Sequence, residues 1–150
     1  IAETKVGRGD YAFEYYKRIA PAYREELSDV HKLEPYAYAQ MIAGKEAVRA
    51  GEAKNSWLTG TAAWNFVAVS QYLLGVRPGY DALVIDPQLG PDLPSFSITR
   101  RLRGATYEIE VTNSGRRGSR AKLVVDGVPV DGNSIPYAPA GATVRIEANL

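Results

Sequence analysis

Thr59-Gly60-Thr61 stands immediately before the most strongly helical stretch of the chain, residues 61–74. The first backbone N–H groups of a helix have no partner within it, and they coincide with the positive end of the helix dipole, so an anion is stabilised there. Gly60 has no side chain to keep an oxyanion from the backbone. Phosphate suits such a turn. The local pattern by itself favours the plainer role in which Thr59 or Thr61 caps the helix. Trp57 and Trp64 bracket the turn; aromatic faces beside amides and hydroxyls hold sugars, and they also fill cores. Gln40 lies in the run Tyr36-Ala37-Tyr38-Ala39-Gln40-Met41-Ile42. A buried amide there needs partners for both its oxygen and its nitrogen, from a ligand's hydroxyls or from the backbone.

Other chemistry is thinly provided. With no Cys and His31 as the single histidine, there is no disulfide framework, thiolate metal site or cysteine nucleophile, and a histidine metal site or Ser-His triad is disfavoured. His31 adjoins Lys32 and Glu34, and the acids Glu25, Glu26, Asp29 and Glu34 fall in one charged connection, which reads as solvated rather than as an acid/base couple. No glycine pattern matches a dinucleotide or P-loop fingerprint. The 18 basic residues against 17 acidic give a net charge of +1, too weak a field to favour nucleic acid or an anionic membrane.

The elements that must position these residues differ between the two halves. Asp10 is placed to cap a helix in which Tyr11, Tyr15 and Ile19 form one apolar face, stopped by Pro21. A second helix, short and largely buried, is expected from Pro35 to Ile42 with Gly44 as its stop, and a third over residues 61–74 with Gly75 ending it. Beyond Tyr80 the period becomes that of strands: residues 83–85, 96–102, 106–111, 121–125, 128–130 and 143–148. A hairpin is expected at Gly104-Ala105, turns at Asp126-Gly127, Asp131-Gly132 and Gly141, and a solvated loop tip at Arg116-Arg117-Gly118. The fold class expected is α+β, with helices over 1–79 and an antiparallel β-sandwich over 80–150.

Apolar residues make up 45% of the 150, enough for a core. The longest apolar stretch, residues 61–76, is interrupted by Asn65, Ser70 and Gln71, so no bilayer span is expected, and a soluble, cytoplasmic protein is the default. Three helices cannot cover Tyr11, Tyr15, Tyr16, Tyr23, Tyr36 and Tyr38. The expectation is therefore that this chain is the C-terminal part of a longer protein.

A series of ordered motifs carries a more specific signal: Glu34-Pro35-Tyr36-Ala37-Tyr38-Ala39-Gln40-Met41-Ile42-Ala43-Gly44, the run from Gly51 to Trp64, Leu74-Gly75-Val76-Arg77-Pro78-Gly79-Tyr80-Asp81, Ile85-Asp86-Pro87, and Thr99-Arg100-Arg101-Leu102-Arg103-Gly104. Together they resemble the C-terminal portion of glycoside hydrolase family 94, which includes cellobiose, cellobionic acid and diacetylchitobiose phosphorylases and a module of cyclic β-1,2-glucan synthase. The resemblance implies a parent enzyme with an (α/α)6 catalytic barrel, whose last helices would lie in residues 1–79, followed by a jelly-roll-like C-terminal β-sandwich. It implies inverting cleavage of a β-linked disaccharide by inorganic phosphate to an α-sugar 1-phosphate, with phosphate as co-substrate and neither metal nor cofactor. It places the family's phosphate-contacting pair at Thr59 and Gly60 and its sugar-contacting glutamine at Gln40. The catalytic aspartic acid and the phosphate-binding histidine and arginine would precede Ile1, and His31 matches none of them, so the chain alone is expected to be inactive. A homodimer is a further expectation. Two other readings stand beside this one: a non-catalytic carbohydrate-binding β module, and the equivalent module of a cyclic glucan synthase.

Overall fold

Helices come first along the chain, each short. α1 spans Ala2–Lys5 and α2 Gly9–Ile19. Asp10 lies in the first turn of α2 rather than capping it, where its carboxylate still faces the positive end of the helix. Pro21 opens a single 3₁₀ turn, Pro21–Tyr23, followed by another, Glu25–Leu27, and by α3, Ser28–His31. The computed structural model describes residues 1–34, 36–115 and 120–150. Pro35 as a helix start and Arg116-Arg117-Gly118 as a loop tip lie outside the described residues. The chain divides into two compact units, one of residues 14–67 and one of residues 1–13 with 68–150.

Within the unit of residues 14–67, the helix expected up to Ile42 does not form. Tyr36 has φ +63, a left-handed conformation that starts no right-handed helix and is strained for a bulky side chain. Beyond it the chain runs extended into β1, Met41–Ile42, which pairs antiparallel with β2, Ala53–Lys54. Backbone bonds from Gln40 N to Lys54 O (3.1 Å) and from Ala43 N to Glu52 O (2.9 Å) continue that ladder at both ends. The segment is also not the buried one expected: Tyr36, Gln40, Met41 and Ile42 are exposed, and only Ala37 is buried. Tyr11, Tyr15 and Ile19 do recur along α2, but each is about half exposed, at 47%, 49% and 49%. A turn-rich chain of short elements offers too little surface to cover such a stripe.

α4, Thr61–Val67, passes into a wider helical stretch, Ala68–Leu73, in which Leu74 N donates to Val69 O at 2.8 Å, an i to i+5 bond. The helix expected over 61–74 is therefore present, with its last turns widened. Gly75, φ +70, ends it.

The remaining strands are β3 (Val76–Pro78), β4 (Ala82–Ile85), β5 (Ser95–Leu102), β6 (Ala105–Thr112), β7 (Lys122–Val125), β8 (Val128–Val130), β9 (Ser134–Pro136) and β10 (Thr143–Asn149). They form a three-stranded antiparallel sheet, β3-β4-β9, and a five-stranded sheet, β5-β6-β10-β7-β8. β5 and β6 are joined by the turn Arg103-Gly104, one residue earlier than expected, with φ of +51 and +81. Two successive positive φ values give the turn whose twist matches that of the flanking strands, and glycine takes the second position without steric cost. The larger sheet is not wholly antiparallel, contrary to expectation: β10 pairs parallel with β6, from Thr143 opposite Thr106 to Asn149 opposite Thr112. The connection from β6 to β10 contains three strands, long enough for the crossover a parallel pair requires.

Inward residues of both sheets meet in one hydrophobic cluster, including Val76, Leu83, Ile85 and Ile135 from the smaller sheet and Tyr107, Ile109, Leu123 and Ile146 from the larger. Tyr107 is fully buried, and its hydroxyl accepts from Ala138 N at 2.9 Å. Tyr107→Phe leaves that donor without its partner and should cost about 1 kcal/mol. A urea titration should show a lower midpoint at unchanged slope; an unmoved midpoint would mean that another acceptor replaces the hydroxyl.

Candidate functional site

The start of α4 shows how the threonines are used. Gly60 O accepts from Trp64 N at 3.0 Å, so Gly60 is the capping residue and Thr59 precedes the helix. Thr59 Oγ1 accepts from Thr61 N at 3.1 Å. Thr61 Oγ1 donates to Ala39 O at 3.1 Å and lies 2.6 Å from Thr59 Oγ1. A hydroxyl has one proton; with Thr61's committed to Ala39, Thr59 is the donor in that short contact. The capping role is thus present in the structure. Gly60, Ala62 and Ala63 are exposed, and a side chain at Gly60 would meet only Trp64 Cδ1, at 3.8 Å. The helix start is therefore open to solvent, and beyond Thr61 N, which Thr59 Oγ1 already accepts from, its first-turn N–H groups have no acceptor within the helix. Rotation of the Thr59 hydroxyl from Thr61 to an arriving oxyanion would cost one neutral hydrogen bond and gain a charge-assisted one.

The Thr61 to Ala39 bond joins this helix start to the segment carrying Gln40. Two of the three residues singled out by sequence, Thr59 and Gly60, are adjacent in the chain, and this long-range bond brings the third beside them. Gln40 is not the buried amide expected: it is exposed, and its Oε1 accepts from Asn55 Nδ2 at 2.7 Å. That leaves its Nε2 as a donor toward a ligand oxygen. Trp57 and Trp64 are 77% and 68% exposed, so neither packs into a core of this chain.

Charge around the site is compensated locally. Glu52 is buried and paired with Lys54 Nζ at 2.5 Å and Arg49 at 3.5 Å. The hydrogen bond from Lys54, helped by its charge and by those of Arg49 and Lys32, holds the Glu52 carboxyl below the usual carboxylate range against the opposing effect of burial. Glu34, read from sequence as one of several solvated acids, is exposed, yet its Oε2 accepts from Ser56 Oγ at 2.5 Å. That bond, with its own backbone N–H and the side chain of Trp57, lowers its pKa. Ser56 and Glu34 are 22 residues apart, and no local pattern announces the pair. His31, Arg24, Glu25, Glu34 and Tyr36 are among the residues lining a separate cavity of about 270 Å³, which includes none of Thr59, Gly60 and Gln40. Among the described residues, no group of three or more His, Cys, Asp or Glu is arranged to hold a metal ion, and no helix is long and apolar enough to cross a membrane.

Comparison with known proteins places the chain in a family. Residues 1–75 match the family model described as "Glycosyl hydrolase 94 superfamily, catalytic domain". The chain is 40% identical over 139 residues, 92% of its length, to N,N'-diacetylchitobiose phosphorylase of Vibrio proteolyticus, of which it covers 17%. It is 38% identical over 151 aligned residues, 100% of its length, to solabiose phosphorylase of Paenibacillus borealis, covering 20% of that protein. With cyclic beta-(1,2)-glucan synthase NdvB of Rhizobium meliloti (strain 1021) it shares 31% identity over 125 residues, 81% of the chain and 4% of the synthase. The chain belongs to the glycosyl hydrolase 94 family. It spans about a fifth of the length of the phosphorylases it matches.

Proposed function

We propose that the chain is the C-terminal part of an inverting β-glycoside phosphorylase, in which Thr59 and Gly60 contact inorganic phosphate and Gln40 contacts a sugar. In this reading residues 1–79 supply the last helices of an (α/α)6 catalytic barrel and residues 80–150 its C-terminal β-sandwich. Phosphate is the co-substrate and no cofactor takes part. A phosphate oxygen attacks the anomeric carbon as the bond to the leaving sugar oxygen breaks, and a general acid preceding Ile1 gives that oxygen its proton. The protein's remaining task is to hold the anion in line and to compensate its charge, which is the work of outward N–H groups and hydroxyls. The observation that carries the proposal is the Thr61 to Ala39 bond at 3.1 Å, which sets the Gln40 segment against an open, exposed helix start in a chain of this family. A cytoplasmic homodimer acting on a β-linked disaccharide completes the reading.

The test uses the full-length protein. Supplied with β-linked disaccharides and phosphate, it should release an α-sugar 1-phosphate and a free sugar in equal amounts, only when phosphate is present. The 150-residue chain alone should release none. Phosphate-independent release of two free sugars, or turnover by the chain alone, would overturn the proposal. Similarity to NdvB over 81% of the chain supports a second reading as the corresponding module of a glucan synthase; a full-length protein carrying membrane spans and a glucosyl-transfer domain would favour it.

A further inference from the structure

The residues leading into α4 have little packing to hold them. Trp57 and Leu58 are each 77% exposed, yet this stretch must present Thr59 and Gly60 in one arrangement if it is to receive an anion. What restrains it is a row of polar links to the facing segment. After the backbone bond from Gln40 N to Lys54 O comes Asn55, turned by φ +58, whose side chain donates to Gln40 Oε1. Ser56 Oγ then donates to Glu34 Oε2 at 2.5 Å. The row closes at Thr61 Oγ1 and Ala39 O. Glu34 therefore holds the residue three positions upstream of Thr59. A bond from a hydroxyl donor to an ionised carboxylate is about twice as strong as a neutral one, which makes this the strongest link in the row.

We propose that Glu34 is a positioning residue for the anion site: through Ser56 it fixes the path of residues 57–60, and so controls phosphate binding without touching phosphate. The inference rests on the phosphate reading of Thr59 and Gly60 given above. A negative side chain would repel the anion as a direct contact, so its contribution is to geometry, with its charge satisfied by a donor on the segment it steers.

The experiment is steady-state phosphorolysis by the full-length protein, varying phosphate and sugar separately, with Thr59→Ala as the reference. Ser56→Ala removes that donor at a partly exposed position. It should raise the KM for phosphate roughly threefold to tenfold, the loss of one hydrogen bond, while the KM for sugar and the melting temperature stay unchanged. Ser56→Thr, which keeps the hydroxyl, should restore the wild-type value. Glu34→Gln combined with Ser56→Ala should raise it no further than the larger single effect, because both act through one link. If Thr59→Ala raises the phosphate KM and neither Ser56→Ala nor Glu34→Gln does, the role of Glu34 is overturned and the phosphate reading stands. If Thr59→Ala also leaves it unchanged, both fall. Equal losses in phosphate KM, sugar KM and melting temperature would mark Glu34 as a general structural link and overturn the proposal.

Discussion

Thr59→Ala in the full-length protein is expected to weaken phosphate use by about 1–3 kcal/mol, roughly fivefold to 150-fold in kcat/KM for phosphate. The side chain lost is a hydroxyl that already accepts from Thr61 N and lies against Thr61 Oγ1, so the substitution removes a helix cap as well as the anion donor of the proposed reading. The two losses are separable. The cap contributes to stability and should appear in the melting temperature, by about 1 kcal/mol. The donor should appear in phosphate dependence alone. Thr59→Ser retains both functions and should behave as wild type. A lowered melting temperature with unchanged phosphate dependence would assign Thr59 to the cap only.

Gly75→Ala is expected to be the most damaging single-methyl change described. Gly75 has φ +70, which an L side chain adopts at a cost of about 1–2 kcal/mol. An added Cβ would also fall 2.1 Å from the backbone C and O of Asp86 and 2.3 Å from Pro87 N. The backbone there cannot withdraw easily. Asp86 N donates to Gly75 O at 2.8 Å and Gln88 N to Leu73 O at 2.9 Å, so the end of the helix and residues 86–88 are tied on both sides of the clash. Overpacking of this kind adds about 1–3 kcal/mol, for a total near 3 kcal/mol or more. Gly127→Ala is the matching control, since it shares a positive φ of +81 but its Cβ would meet nothing within 4 Å. Chemical unfolding of the two variants should therefore differ by the steric part. Equal losses would show that the approach to Asp86 relaxes freely.

Much of the strand-rich half is legible because its physics is local. Tyr107, Ile109 and Val111 alternate with polar residues and all three are buried, and Asp126-Gly127 makes the turn its types demand. The helix beginning at Thr61 is legible for the same reason, through its alanines and the glycine that ends it. Residues 36–42 misled because Ala, Tyr, Gln and Met suit either helix or strand. Their every-second-residue pattern, Tyr36, Tyr38 and Gln40 against Ala37 and Ala39, was the available signal for an extended chain. β3 and β9 escape notice because each is three residues long and contains proline; both are edge strands, where proline is tolerated. Near the candidate site, the position of Thr59 and Gly60 at the start of a helix could be read from local pattern. The Ser56 to Glu34 and Thr61 to Ala39 links could not, since each spans 22 residues and depends on how two segments without regular periodicity come together.

The parallel placement of β10 has a consequence for how the molecule is made. The hairpins β5–β6 and β7–β8 can each form from neighbouring residues as they leave the ribosome, but β10 is the element that joins them, and it emerges after both. Until then two half-sheets wait with raw edges, the state in which nascent β proteins mispair with one another.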